Sequence, residues 1–482
     1  MNEAKPLLWQ SGDAVPAMQG RCALSWQATG ISIDSRTVEP GDIFFALKGP
    51  NFDAHEFVAA ALAAGAAAAV VIRRPASVPS DAPLVLVEDP LAALGRLAQA
   101  ARERSTARRI GVTGSVGKTG TKEALRILLS GQGPTHASAG SYNNQWGVPL
   151  SLARMPAETR FGIFEIGMNH PGEILPLTRL VRPQVAIVTA IEPAHTEFFP
   201  SVEAIADAKA EIFAGMNGDG TAILNRDNPH YARLADHARR AGIGRILGFG
   251  RHAEAWARLL DCSLHATCSA VTAAIGGQRI DYSIGAPGAH WVMNSLAVLA
   301  AVDAVGADLA AAAAAMSRVR PPKGRGERAR VQLAEGSIEL IDESYNASPA
   351  AVRAALRVLA QSKPGSGGRR IAVLGDMREL GAEGPALHAA LAPDILEAGA
   401  DLLFAVGPLM TRLFEALPAE TRGRHTGTSA EMVPALVGAL RPGDVVLVKG
   451  SLGTRMAPIV AAIKALGREA GADPLPRAAN GN

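Results

Sequence analysis

The stretch RIGVTGSVGKTGTKEAL, Arg109 to Leu125, decides the fold. An apolar run enters a glycine-bracketed turn, and the turn passes into residues with helical spacing. Gly114 and Gly117 let backbone N–H groups face a polyphosphate, with Ser115 between them. Lys118 can bridge the outer oxygens and the Thr119 hydroxyl can ligate Mg²⁺. A full Walker pattern also asks for glycine five residues before Gly117, where Val112 stands, so only the GxxGKT core is present. Strand, loop and helix in this order open a nucleotide-binding α/β unit.

Outward from the loop, short apolar runs bounded by glycine recur: residues 161–167, 185–191, 221–225, 371–375, 402–407 and 445–450. Helical stretches lie between most of them, at Leu91–Arg104, Lys122–Leu129, Ser201–Met216 and Pro349–Gln361, so the chain reads as βα alternation in doubly wound sheets. Few aromatic residues (4%) and 50 glycines suit a core of Ala, Val, Leu and Ile. With 482 residues the chain holds about three domains. The turn-rich start gives way to a helix near Glu88, and RVRPPKGRGER, Arg318 to Arg328, reads as a linker. The expected domains are residues 1–88, 89–320 and 321–482.

Composition excludes several classes. A net charge of +3 with scattered basic residues argues against nucleic acid as a partner. Three cysteines without CxxC spacing give neither a disulfide framework nor a zinc site, which suits a reducing cytoplasm. The N-terminal sequence lacks the basic and apolar regions of a secretory signal, and the uncharged, alanine-rich run of residues 57–72 is short for a membrane span. No oligomer stripe is evident, so a monomer is expected.

Two residues downstream of the loop are candidate metal ligands. Glu165 ends the run FGIFEIG and His195 follows the next strand, which puts both at the carboxyl edge where open α/β sheets collect ligands. With Thr119 they could complete an oxygen-rich Mg²⁺ site, although histidine is an unusual magnesium ligand and each residue alone also fits a hydrogen-bonded loop position. Asp342 ends a third-domain apolar run before the turn-rich YNASP, where Ser348 is the better helix cap.

On these residues the chain resembles the Mur ligases of peptidoglycan synthesis. The matching segments include IDSR (33–36), DAHEF (53–57), TGSVGKT (113–119), NNQWGVP (143–149), EIGMNHPGEI (165–174), PAHTEFF (193–199), AKAEIF (208–213), GRGER (324–328), IDESYNASP (341–349), LGDMREL (374–380) and VLVKGS (446–451). The resemblance implies three α/β domains: a small UDP-binding one, a central ATP-binding one with a mostly parallel sheet, and a Rossmann-like third. It implies an ATP-dependent ligase with two magnesium ions, Thr119 and Glu165 serving one, His195 and a carbamylated Lys209 the other. Without the resemblance Lys209 reads as a charge on a helix surface.

By the same resemblance Asn294 contacts adenine, and Arg325 and Asp342 reach the nucleotide when the domains close, together with loops around Asp376 and Ser451. Ser35, Arg36, His55 and Phe57 match a uridine-nucleotide pocket. Asn143 and Asn144, with Tyr345 and Asn346, match substrate-side positions. The GDMREL and IDESYNASP segments favour the branch that joins D-alanyl-D-alanine to a UDP-muramoyl tripeptide. A diaminopimelate-adding relative carries DNPR in its third domain, whereas Asp227–Pro229 here precedes His230 in the central one. Val116 and Gly120 depart from the family loop, where asparagine and a second threonine are common. A nucleotide-binding regulator without ligase activity is the rival reading, and it predicts ATP binding without substrate-dependent phosphate release.

Overall fold

The computed structural model describes residues 5–49, 52–194 and 196–470. Three mostly parallel sheets follow one another along the chain. The first has four parallel strands in the order Gly30–Ser32, Asp42–Phe45, Ala68–Val71 and Leu84–Leu86. Asp42–Phe45 and Ala68–Val71 are buried along their whole length, as strands covered on both faces must be.

The central sheet has nine strands. Six parallel strands run in the spatial order Thr135–Ala137, Phe161–Glu165, Arg108–Thr113, Val185–Val188, Thr221–Asn225 and Arg245–Gly250. The strand Arg108–Thr113 lies between partners reached by crossovers to opposite sides, so its carboxyl end is the topological switch point where a ligand crevice opens. The last three strands, Ala257–Leu264, Ser269–Ile275 and Gln278–Ile284, form an antiparallel meander not anticipated from the βα pattern. The helix Ala289–Ala304 is apolar nearly all round and packs against this sheet.

The third sheet runs in the order Glu327–Leu333, Gly336–Glu343, Val445–Lys449, Arg370–Gly375, Leu402–Val406 and Arg422–Thr426, parallel except for its first hairpin. Separate apolar clusters cover its two faces. Helix Pro349–Gln361 starts at Ser348, whose side chain accepts from the Ala351 N–H, the cap chosen from the sequence. Among the described residues no helix is long and apolar enough to cross a membrane, and all three cysteines are free.

Candidate active site

Gly114 and Gly117 adopt φ of +143° and +86°, conformations that a side chain would strain. A Cβ at Gly114 would lie 2.0 Å from Thr189 Oγ1, so the glycine is also demanded by packing. The Thr189 hydroxyl donates to the carbonyls of Val116 (2.5 Å) and Thr113 (3.2 Å), and Ser115 Oγ donates to the Glu192 carbonyl at 2.9 Å. The strand Val185–Val188 and the residues after it therefore brace the loop from one side. The loop then passes into helix Lys118–Ser130, whose N-terminal N–H groups and positive dipole end favour an anion there.

Lys118 folds back over the loop, donating to the carbonyls of Gly114 (2.6 Å) and Ser115 (3.3 Å). Burial pushes its ammonium pKa down, Glu165 opposes that shift, and Arg325 adds to it. These carbonyl bonds are exchangeable for phosphate oxygens, which would satisfy the charge better.

Thr119 and Glu165 meet as the sequence predicts. Thr119 Oγ1 donates to Glu165 Oε2 at 2.8 Å, and Asn143 Nδ2 donates to Oε1 at 2.7 Å. Both Thr119 and Glu165 are buried. A carboxylate ending a fully buried strand and sharing a threonine hydroxyl is a hard-oxygen pair suited to Mg²⁺. Among the described residues no group of three His, Cys, Asp or Glu side chains is placed to hold a metal ion. His195 lies outside the described residues.

Lys209 is not on a helix surface. It lies in the last turn of helix Val202–Ala210 with 1% exposure, and among the described residues its side chain makes no hydrogen bond or ion pair. Burial drives its pKa well down, and the nearby Lys118 charge adds to the effect. Helical position alone suggested a solvated charge; the tertiary fold buries the side chain instead.

Three partners were not foreseen. Ser141 Oγ lies 3.4 Å from Thr119 Oγ1 and accepts from Arg325 Nη2 at 2.9 Å, so it links the loop helix to the linker of the third domain. Lys122 is fully buried and donates to the carbonyls of Ser138 and Gly140, both at 2.6 Å, fixing the segment that presents Ser141 and Asn143. Its spacing of four from Lys118 puts both on one helical face, the signal available beforehand. Trp291 explains the glycine at position 120: a Cβ there would lie 2.8 Å from the indole. Asn294 packs against the loop, its amide 2.9 Å from where a Gly117 Cβ would stand.

On the third-domain side, Arg325 stacks over Tyr345 with its guanidinium carbon 4.1 Å from the ring centre. Buried Asp342 accepts from the N–H and the hydroxyl of Ser344, at 3.1 and 2.6 Å. Lys449 donates to Glu343 Oε2 and to the Asn346 carbonyl, at 3.1 and 2.9 Å. Asp376 accepts from the Met410 N–H, burial raising its pKa, and its carbonyl accepts from Ser451 N–H. These groups line the carboxyl edge of the third sheet.

Among the described residues the first-domain candidates make no hydrogen bond to this cluster. Ser35 and Arg36 start a 3₁₀ turn capped by Asp34, with the Arg36 side chain 86% exposed and paired to Asp34 at 2.6 Å. Both His55 ring nitrogens are engaged, one with Asp53 and the other accepting from the Ile72 N–H, so His55 acts as an anchor within its domain. Phe57 is exposed. Asn144 spends its side-chain oxygen on the Trp146 and Gly147 N–H groups at the start of helix Gly147–Ala153.

Known proteins resemble this chain in sequence and fold. Three family models match in sequence: "Mur ligase family, catalytic domain" over residues 27–102, "Mur ligase middle domain" over 112–302 and "Mur ligase, glutamate ligase domain" over 324–452. The UDP-N-acetylmuramoyl-tripeptide–D-alanyl-D-alanine ligase of Rickettsia prowazekii is 33% identical, across 94% of this chain and 99% of the relative. Its Escherichia coli counterpart is 35% identical across 90% and 93%. A crystal structure of MurF from Acinetobacter baumannii superposes with a TM-score of 0.82 at 31% identity, covering 95% of this chain and 99% of that one. MurF ligase from Thermotoga maritima in complex with ADP gives 0.75 at 26% identity, covering 91% and 98%. With its phosphate loop, strand-end glutamate and linker arginine in one crevice, and with similarity running almost end to end, this chain belongs to the Mur ligase family.

Proposed function

We propose that the protein joins D-alanyl-D-alanine to the terminal carboxylate of UDP-N-acetylmuramoyl tripeptide, with ATP converted to ADP and phosphate. The product is the UDP-muramoyl pentapeptide of peptidoglycan precursor synthesis. The observation that carries this reading is the Thr119–Glu165 hydrogen bond beside Lys118, with Arg325 of the linker bonded into the same cluster through Ser141. The cytoplasm, where ATP and UDP-linked precursors are available, is the proposed location, and the proposed working form is a monomer of three domains, 1–88, 89–320 and 321–482.

A carboxylate is a poor electrophile, so its oxygen must first become part of a leaving group. The tripeptide carboxylate oxygen attacks the γ-phosphorus, the bond to the β–γ bridging oxygen breaks, and ADP leaves. Lys118 holds the charge on the transferred phosphoryl oxygens, and the loop N–H groups orient them. The neutral amine of D-alanyl-D-alanine then attacks the acyl carbon, and phosphate departs with the carboxylate oxygen it received. Magnesium, when bound, supplies charge stabilisation for the phosphoryl oxygens. Thr119 and Glu165 would hold one ion, and His195 with Lys209 a second. Lys209 suits addition of CO₂ because burial, by lowering its pKa, favours the neutral, nucleophilic amine. Asn294 would meet the adenine, Asp342 and Arg325 the ribose and phosphates, and Tyr345 and Asn346 the acceptor side. Asn143, Asn144, Ser35, Arg36, His55 and Phe57 would shape the muramoyl-peptide and uridine sites. Closure of the third domain would exclude water that would otherwise hydrolyse the acyl phosphate.

Incubation with Mg²⁺–ATP and each acceptor, alone and together, tests this reading. Phosphate release that requires both substrates, with a pentapeptide mass, is the expected result. ATP binding with neither phosphate nor pentapeptide, even with bicarbonate added, would give the regulator reading the field.

A further inference from the structure

Away from the phosphate loop, at the opposite edge of the central sheet, lies a cleft of about 510 Å³ whose lining includes Arg102, Arg179 and Arg182. Arg109 stands behind them, at the start of the strand that ends in the loop. Two of these guanidiniums have structural work. Arg102 donates to the carbonyls of Leu180 (2.6 Å) and Arg179 (3.3 Å), and Arg109 to those of Val181 (2.9 Å) and Arg182 (3.2 Å), so together they cap the carboxyl end of helix Ile174–Val181.

Capping does not account for the whole cluster. A helix end carries only about half a negative charge, and Glu103, 3.3 Å from Arg102, supplies one carboxylate. Among the described residues Arg109, Arg179 and Arg182 form no ion pair, and the exposed side chains of Arg179 and Arg182 add two charges to the same cleft. Arg102 and Arg182 reinforce the fall that burial imposes on the Arg109 pKa, to about 10, which marks them as mutually repelling neighbours. Arg182 also holds a left-handed backbone (φ +50°) at the helix end, a position where glycine or asparagine is usual. Guanidinium forks lining one open cleft with a charge surplus suit phosphate oxygens in sign and in hydrogen-bonding chemistry.

We propose that this cleft is a second anion site, separate from the phosphate loop, which binds a small phosphate-bearing polyanion, free or as a lipid headgroup. The site is independent of the ligase reaction, and its test leaves that reading untouched. The full chain is saturated with Mg²⁺ and a non-hydrolysable ATP analogue, so that the loop is filled, and then titrated calorimetrically with pyrophosphate. One further pyrophosphate per chain is expected, weakened at least tenfold in R179Q/R182Q and unchanged in R239Q/R240Q, a control that removes the same charge elsewhere. No further binding, or equal weakening in both double variants, would overturn the proposal. Sedimentation with phosphatidylglycerol vesicles separates the sources. Capture lost in R179Q/R182Q but kept in the control assigns a lipid headgroup, and pyrophosphate binding without capture assigns the free anion. Should R179Q/R182Q lower the thermal midpoint, R179K/R182K keeps the charge but loses the forks and is expected to bind pyrophosphate more weakly than the parent and more tightly than R179Q/R182Q; binding no tighter than that of R179Q/R182Q in a folded protein would also overturn the site.

Discussion

Where the first sheet meets the central one, Trp9, Ile31, Leu94, Leu97, Val148 and Leu152 belong to one continuous buried cluster. Trp9 Nε1 donates to the Ala153 carbonyl at 3.0 Å, and Arg154 caps the Ile31 carbonyl. Where the central sheet meets the third, polar bonds span the junction: Arg325 to Ser141, and the Glu197 N–H to the Glu379 carbonyl at 3.2 Å. Among the described residues, the apolar clusters on the third sheet contain only residues between 329 and 466, none from the first or central parts. Separating a shared dry core costs about 25 cal/mol for each Å² of apolar surface exposed, whereas an exchangeable hydrogen bond is worth only about 1 kcal/mol net. The first two parts therefore behave as one platform holding the phosphate loop. In the proposed reaction the third would turn on a linker whose Gly324 and Gly326 have positive φ, bringing Arg325 and Asp342 toward the nucleotide.

The largest expected effect comes from the platform side. Lys118→Ala removes the cation nearest the transferred phosphoryl group and should lower substrate-dependent phosphate release by about 10³-fold, with the circular dichroism spectrum unchanged. A loss below tenfold would mean that the closing domain, not the loop, supplies the main stabilisation.

The junction itself can be broken at Leu97, fully buried in helix Pro90–Glu103. Leu97→Ala should cost about 3 kcal/mol, read by denaturant unfolding, and should shift the first and central parts together in one transition. Separate transitions for those two parts would end the platform account.

Acid sharpens the same contrast. His136, packed beside Phe164 and bonded to the Ser151 carbonyl at 2.7 Å, has its pKa pushed from 6.5 to about 4, first by burial and then by Arg154. Between these values the unfolded chain binds a proton that the native one refuses. Stability present above pH 6.5 is therefore lost as pH falls toward 4, by up to about 3 kcal/mol. His136→Gln should flatten that part of the stability profile; an unchanged slope would place the acid sensitivity elsewhere.

The smallest effect is expected at the polar junction. Arg325→Lys keeps the charge but loses the fork and the stacking on Tyr345, and should lower kcat about tenfold with no shift in thermal midpoint. A lowered midpoint would show that this contact holds the fold rather than the closed state.

Much of this was legible in the sequence because the responsible patterns are local. The loop glycines, Lys118 and Thr119 declare themselves by spacing, and Glu165 by ending an apolar run. Ser348 as helix cap and the βα alternation are likewise local readings. What stayed hidden depends on residues distant in sequence. The meander of residues 257–284 alternates small apolar and polar groups too weakly to stand out beside the glycine-bounded runs. Ser141 gains meaning only when Arg325, 184 positions on, arrives beside it. Lys209 resembles any helical lysine until the fold removes its solvent, and Gly120 cannot be understood without Trp291.

The most direct measurement of the central claim, that this crevice activates a carboxylate by phosphorylation, uses UDP-muramoyl tripeptide labelled with ¹⁸O in its terminal carboxylate. The reaction is run with Mg²⁺–ATP and D-alanyl-D-alanine, and the released phosphate is weighed by mass spectrometry. One ¹⁸O in the phosphate for each pentapeptide formed is the predicted result. Phosphate without label, at equal pentapeptide yield, would contradict the account.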